Sequence, residues 1–460
     1  MMRDRELARE IEGELVRRGD AGYEAVLAGM VWNGLKPERF PELIVRAASE
    51  RDVPAAIGLA RSRGLRIAVR AGGHSWCGSS VRSDGMLIDL SRLRRCEIDA
   101  ASATATVQPA VTGSELAPQL AERGFSFPTG HCGSVAVGGY LLSGGLGWNS
   151  GALGPACRSV HEVEAVTADG ETVRCNKDEN PDLFWAARGA GPGFFAVVTR
   201  FHLRLHRLPG AVMSTMYAFP LADLEEVTNW AAETAHELKP TVELSLVLAT
   251  AARHMTKARP RPKVITVTAT AFADSREQAV KNLGPLRKCP FADRSLFREA
   301  DEPTSPDALY AASGGIWPAH RRYAADTLWS ESGLGTLLSR LGDVVEWAPS
   351  DKSLVLAPVS PASDNEELLR DMAFSVLGSS YVVPYAIWDD PAEDDINVRW
   401  LRAAMGAVEP LGTGHYIAEA DLGAGPARAE RSYTARDWRR LQDLRTRYDP
   451  EGVFHSYLTP

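Results

Sequence analysis

The sequence is short of several things. It has only 6 cysteines in 460 residues, Cys77, Cys96, Cys132, Cys157, Cys175 and Cys289. They are scattered and form no CxxC pair, which excludes a disulfide scaffold and leaves no expectation of a metal site. No apolar run approaches the length of a membrane span, and the charged opening Met1-Met2-Arg3-Asp4-Arg5-Glu6 has no apolar signal core. There is no basic excess either: the formal net charge is −8, so nucleic acid and anionic membranes are not expected partners. No strand-GxGxxG-helix pattern is present. Gly189-Ala190-Gly191-Pro192-Gly193 has the wrong spacing and runs into a strand, against a nicotinamide Rossmann site. A metal-free cytoplasmic protein is the resulting expectation, with its oligomeric state open.

What is present is the composition of a folded globular chain, 45% hydrophobic and 24% charged. The length predicts two domains, with room for one to interrupt the other. Residues 4–30 have helical spacing, and a second helix follows Asp52-Val53-Pro54 to Arg63. Residues 66–70, 86–90 and 103–108 read as strands, with a helix over 112–123. Asp169-Gly170 between apolar runs predicts a hairpin, and 194–205 a long strand. After Leu208-Pro209-Gly210, strands at 215–220, 243–250, 264–272, 353–359 and 377–383 alternate with helices at 221–238 and 275–286. This predicts an antiparallel sheet with helices on one face. A basic amphipathic helix over 431–448 closes the chain. The fold class is therefore α+β.

Two segments carry reactive side chains inside glycine runs: Arg70-Ala71-Gly72-Gly73-His74-Ser75, and Gly130-His131-Cys132-Gly133-Ser134-Val135-Ala136-Val137-Gly138-Gly139. Glycine lets backbone N–H groups approach a ligand closely, and such loops cradle phosphates. The second run continues to Gly147 with too many glycines for an efficient helix or strand. Cys132 beside His131 is either a small buried hydrophobe or a thiol made reactive by its surroundings. Gly73-His74-Ser75-Trp76-Cys77 approaches a nucleophile elbow, although Cys77 takes the place of the last glycine. A serine hydrolase using Ser75 is thus a competing expectation, and a flavin-binding protein without turnover is another.

Taken in order, these segments resemble the berberine-bridge-enzyme-like branch of the flavin-linked oxidases, which share the vanillyl-alcohol-oxidase (p-cresol methylhydroxylase, PCMH) fold. Arg70 to Ser75 is similar to the family's Arg-x-Gly-Gly-His-x segment, and Gly130 to Gly147 to its Gly-x-Cys and glycine string. Asp182-Leu183-Phe184-Trp185-Ala186-Ala187-Arg188-Gly189, Arg447-Tyr448-Asp449-Pro450-Glu451-Gly452-Val453-Phe454 and the pair Trp32-Asn33 match further signatures.

The resemblance implies an FAD-binding part formed by residues 1–206 and 430–460 and a substrate domain over 207–429. It implies bicovalent FAD, with His74 on the flavin 8α-methyl and Cys132 on flavin C6. Arg70, Ala71, Gly72, Gly73, Ser75, Gly138, Gly139, Tyr140, Ser143, Gly144, Gly147, Val197 and Tyr457 would contact the cofactor. The activity implied is oxidation of a hydroxyl- or amine-bearing small molecule, with O₂ giving H₂O₂ or another acceptor taking the electrons. Hydride transfer needs a base near the reacting carbon. The family's Tyr-x-Asn-Tyr or Tyr-x-Asn-Glu segment falls on Gly414 to Asp421, with Glu419 the candidate base and Tyr416 the alternative. Ala418 replaces the asparagine, Leu146 replaces the tyrosine of sugar-oxidising members, and His455-Ser456-Tyr457 replaces Asn-Gln-Asn. Tyr140, Trp317, His320 and Arg322 are candidate substrate contacts, the last three within an aromatic and basic cluster suited to an aromatic or anionic molecule.

Overall fold

Parallel pairing sets the first sheet. In the computed structural model, which describes residues 2–359, 369–425 and 427–458, Leu43–Arg46 and Ile67–Arg70 both run parallel to Met86–Asp89. The connection between the first two needs a crossover, and the helix Asp52–Arg63 supplies it. Its first residue, Asp52, is buried and accepts from the backbone N–H groups of Glu12 and Ala48 at 2.8 and 2.6 Å. Glu14–Arg17 adds an antiparallel edge.

A second sheet of five antiparallel strands follows: Cys96–Asp99, Thr104–Val107, Val197–Arg204, Val160–Val166 and Thr172–Asn176 in spatial order. The hairpin at Asp169-Gly170 forms, with Gly170 at φ 88° supplying the turn. The chain end returns to the first sheet. Ile67 N–H donates to Val453 O at 2.7 Å and His455 N–H to Ile67 O at 2.8 Å, behind the helix Ala435–Tyr448.

Among the described residues, the third sheet has nine strands between Ala211 and Gly414. Alternation along Val242–Thr250 splits its two faces. Val242, Leu244, Leu246 and Leu248 pack with Leu337, Leu338 and Leu341 of the helix Leu334–Glu346. Glu243, Ser245 and Val247 face the other way, towards a cavity. The sheet thus has helices on one side and a site on the other.

Three expectations need correction. Residues 4–30 are not one helix. Met2–Glu10 is helical, but Glu14–Arg17 pairs with Leu43–Arg46, and a Cβ at Gly13 would lie 2.2 Å from Arg46 O. Tertiary pairing overrides the local period there. The glycine string does contain a helix, Val137–Leu142, anchored by Val137 N–H to Val111 O and Gly138 N–H to Pro109 O and by buried Leu141. Packing, not propensity, stabilises it. The closing helix starts at Ala435 instead of 431, where Thr434 caps it by accepting from Asp437 N–H.

Candidate active site

Both glycine segments lie against one another. A Cβ on Gly72 would sit 2.7 Å from Ala136 Cβ, and one on Gly138 would sit 3.0 Å from Ala71 Cβ. Any larger residue would force the two backbones apart. Gly139 differs: nothing lies within 4 Å of a Cβ built there, and it lines the cavity. Arg70 fixes the start of the first loop by pairing with Asp89 at 2.8 Å.

Between these loops and the third sheet is a cavity of about 1050 Å³. That is at the upper end of the range for a small-molecule pocket, enough for a large cofactor and a second molecule. His74 and Cys132 both line it. His74 stacks on Trp32 with centroids 4.5 Å apart, and its Nε2 lies 3.0 Å from Ser134 Oγ. That oxygen is 3.3 Å from Cys132 Sγ. Burial, with help from Arg70, lowers the His74 pKa to about 4, so the imidazole is neutral at neutral pH. His131 stands edge-on to Trp148 and reaches Glu243 at 3.3 Å, linking the cysteine loop to the opposite sheet.

Glu419 lines the same cavity on a turn after the strand Gly412–Gly414. It accepts from Tyr385 OH at 2.9 Å and Tyr381 OH at 3.2 Å. Its position deep in the protein raises its pKa, opposed by hydrogen bonds from Tyr385, Tyr381 and Trp76. A carboxyl held this way can take a proton and return it. Tyr416, the alternative, lines the cavity too. Its hydroxyl accepts from Gly145 N–H at 3.1 Å and Leu146 N–H at 3.2 Å, so it ties the Glu419 turn to the glycine string.

Behind the turn is a charged support. Thr327 Oγ1 accepts from Tyr416 N–H at 2.8 Å, and Asp326 accepts from Asp421 N–H at 3.0 Å. Arg428 reaches Asp326 at 3.0 Å and Glu409 at 2.5 Å, and donates to His415 Nε2 at 2.7 Å. Burial raises the Asp326 pKa against the pull of Arg428.

Of the other expected cofactor contacts, Ala71, Gly72, Gly73, Ser75, Gly138, Ser143 and Gly147 line the cavity. Tyr140 lines it too, and its hydroxyl donates to Pro128 O at 2.6 Å. Val197, Gly144 and Tyr457 do not. Strand alternation turns Val198 to the cavity in place of Val197. At Gly144 a Cβ would meet the Phe374 ring at 2.6 Å, so this glycine makes room for packing. Tyr457 donates to Ala190 O at 2.9 Å and sits within the core.

The aromatic and basic cluster comes apart. Trp317 lines the cavity, but His320 is exposed and outside it, and Arg322 pairs with Asp394. Ser75 has no imidazole beside its hydroxyl among the described residues. Its oxygen contacts Cys77 Sγ at 3.5 Å and accepts from Ser79 N–H at 3.1 Å. A hydrolytic triad is therefore not assembled at Ser75.

Trp329 of the same cluster lines the cavity with Trp317. Sequence reasoning missed Ser134, Glu243, Tyr381 and Tyr385. The spacing of Tyr381, Val383 and Tyr385 carried a signal, since alternate strand residues share a face. Asn33 of the recognised Trp32-Asn33 pair is a tie between halves. It donates to Trp76 O and Tyr323 O, both at 2.8 Å, and accepts from Tyr323 N–H.

Residues 41–176 match the family model described as an FAD binding domain. The chain is 33% identical over 435 residues to the FAD-linked oxidoreductase ptmO of Penicillium ochrochloron, covering 94% of this chain and 93% of the relative. It is 35% identical over 204 residues to (R)-6-hydroxynicotine oxidase of Paenarthrobacter nicotinovorans, 44% of each chain. Among solved structures, 6-hydroxy-D-nicotine oxidase of Arthrobacter nicotinovorans superposes with a TM-score of 0.83 at 22% identity, over 98% of both chains. Berberine bridge enzyme of Eschscholzia californica gives 0.81 at 19% identity, over 98% of this chain and 97% of that one. The fold is thus the PCMH type, with its antiparallel third sheet backed by helices.

Proposed function

This chain belongs to the FAD-linked oxidoreductases, and from that premise we propose that it oxidises a hydroxyl- or amine-bearing secondary metabolite on FAD tethered at both His74 and Cys132. The observation that carries the reading is one cavity lined by a neutral imidazole, a thiol, a glycine cradle and a carboxyl of raised pKa. The residues fit the cofactor on three counts. Gly139 opens directly to the cavity. The volume exceeds what a small substrate alone needs. Four buried nitrogens of residues that line the cavity, Nε1 of Trp148, Trp317 and Trp329 and Nε2 of His455, lack a partner among the described residues, and buried polar atoms of this kind are normally satisfied.

Residues Arg70 to Ser75 and Gly138 to Ser143 would hold the FAD, with the FAD-binding part built from both ends of the chain. Flavin bound there would supply the hydride acceptor, with O₂ as the terminal oxidant giving H₂O₂. Glu419 takes the proton from the substrate hydroxyl or amine as the adjacent carbon loses hydride. Tyr381 and Tyr385 orient that carboxylate and stabilise its charged form. Tyr416 and the Asp326–Arg428 support keep the turn in register with the glycine string. The enzyme acts on a small molecule in the cytoplasm; no helix among the described residues is long and apolar enough to cross a membrane.

Acid precipitation tests the tethers. The pellet of the purified protein stays yellow if flavin is covalently bound, and peptide mapping recovers flavin on both the His74 and the Cys132 peptide. A colourless pellet beneath a yellow supernatant rejects covalent attachment.

A further inference from the structure

The loop that carries Cys132 is gripped from the far side of the cavity. Helix Pro306–Ile316, between strands of the third sheet, lines the cavity with Ala308, Leu309, Ala312 and Ile316, one face of a helix by their spacing. Tyr310, on the same helix, reaches the Cys132 loop. Its hydroxyl shares a hydrogen bond of 2.5 Å with the Thr129 hydroxyl. A Cβ on Gly133 would lie 3.1 Å from Cγ and Cδ1 of the Tyr310 ring, so the missing side chain lets the ring rest on the backbone there. Tyr310 thus touches the chain three residues before Cys132 and one residue after it.

Glu243 adds a second grip from the strand Val242–Thr250. Its Oε2 lies 3.3 Å from His131 Nε2, and its Oε1 accepts from Asn149 N–H at 2.5 Å. From its own side the loop is held by backbone bonds. Ser114 N–H donates to Gly133 O at 2.9 Å, and Trp148 N–H to Thr129 O at 3.0 Å. His74 is placed otherwise: its partners Trp32 and Ser134 both lie outside residues 211–414.

We propose that Tyr310, together with Glu243 acting through His131, is a positioning residue for Cys132: attachment of flavin at Cys132 depends on these grips from the third-sheet half, and attachment at His74 does not. The inference rests on the two-tether reading. Attachment at Cys132 exchanges its S–H and a ring C–H bond for one S–C bond; the two protons and two electrons released leave with O₂ as H₂O₂. The thiol must be held in line for that bond, and a displacement of about 1 Å can cost about 100-fold in rate.

The test incubates flavin-free protein with FAD in air and follows the masses of the Cys132 and His74 peptides separately. Wild-type protein is expected to gain flavin on both. Tyr310→Phe keeps the ring and removes its hydroxyl, and Thr129→Val removes the other end of the same bond. Each should slow attachment at Cys132 by about five- to tenfold and leave the His74 rate unchanged. The two together should be no slower than either alone, because both delete one interaction. Glu243→Ala should slow Cys132 likewise, and Glu243→Gln, which can keep both hydrogen bonds, should restore it. The His74 peptide of each sample controls for folding and flavin uptake. The proposal is overturned if Tyr310→Phe and Thr129→Val attach at the wild-type rate, or if the variants slow both peptides alike. Wild-type protein whose Cys132 peptide stays unmodified refutes the two-tether reading and this inference with it. Wild-type protein modified at both sites, with variants that match it, refutes this inference alone.

Discussion

His74 and Cys132 meet at one hydroxyl, with Ser134 Oγ 3.0 Å from the imidazole Nε2 and 3.3 Å from the thiol sulfur. Sixty positions separate His74 from Ser134; the abutment of the two glycine loops brings them together. Removing either proposed tether should leave the other. His74→Ala and Cys132→Ala are each expected to keep flavin in the acid pellet through the remaining bond, and the double variant to release it. Ser134→Ala should slow attachment at both residues, read by the mass of each peptide against time after FAD is added. Unchanged rates at both would deny the shared hydroxyl any part in attachment.

The low pKa of His74 gives a pH prediction. Its folded value, about 4, lies below the ordinary 6.5. In Cys132→Ala, attachment at His74 should stay constant from pH 8 to about pH 5, then fall as the imidazole protonates. The same shift acts on stability. Between 6.5 and 4 the unfolded chain binds the proton that the folded one refuses, so flavin-free protein loses stability as pH falls through that window. A loss of attachment already centred near 6.5 would contradict the assigned environment.

Glu419→Gln should slow flavin reduction by about 10²–10⁴-fold, measured by stopped-flow bleaching of the flavin band. Because its pKa is raised, the acid limb of wild-type reduction should lie above the ordinary glutamate range. Tyr385→Phe removes a hydrogen bond that favours the charged carboxylate, so the limb should move to still higher pH. A limb that stays put, or moves down, would separate Tyr385 from the base.

Asp326→Asn tests the support behind the turn. Breaking a buried ion pair costs about 3–5 kcal/mol. Arg428 keeps Glu409, so the expected loss is smaller, about 1–3 kcal/mol by denaturant unfolding. Flavin reduction should slow while the acid limb persists, as suits a residue that positions Glu419 without replacing it. A variant with wild-type stability and rate would remove this support from the account.

Gly139→Ala separates the cradle from the fold. A methyl there points into open space, and alanine is better than glycine in a helix by about 1 kcal/mol. The variant should fold at least as stably as wild type and take up less flavin. Gly138→Ala, whose methyl would press on Pro109 and Ala71, should instead lose stability. Equal flavin content in Gly139→Ala and wild type would place the cofactor elsewhere.

The motifs of the two glycine loops, the hairpin at Asp169-Gly170 and the alternating strands after residue 210 were legible because each is a local pattern: turn chemistry, period two, or a residue order that marks the family. Glu419 was legible only through that resemblance. Its partners Tyr381 and Tyr385 come from a strand whose inward face is set by sheet pairing. Val197, Gly144, Tyr457, His320 and Arg322 stand outside the cavity lining. Which way a side chain faces, and whether another group already holds it, is decided by neighbours distant in sequence: strand alternation for Val197, the Phe374 ring for Gly144, Ala190 for Tyr457, Asp394 for Arg322. The sequence by itself determined the fold class, the cofactor class and the two tether candidates, since these depend on backbone permissiveness and residue chemistry within short segments. Only the tertiary structure decided that a serine hydroxyl stands between His74 and Cys132, that two tyrosines hold Glu419, and that Glu243 faces the cavity from the third sheet, because each is a contact between chain segments that close packing alone brings within a few ångströms.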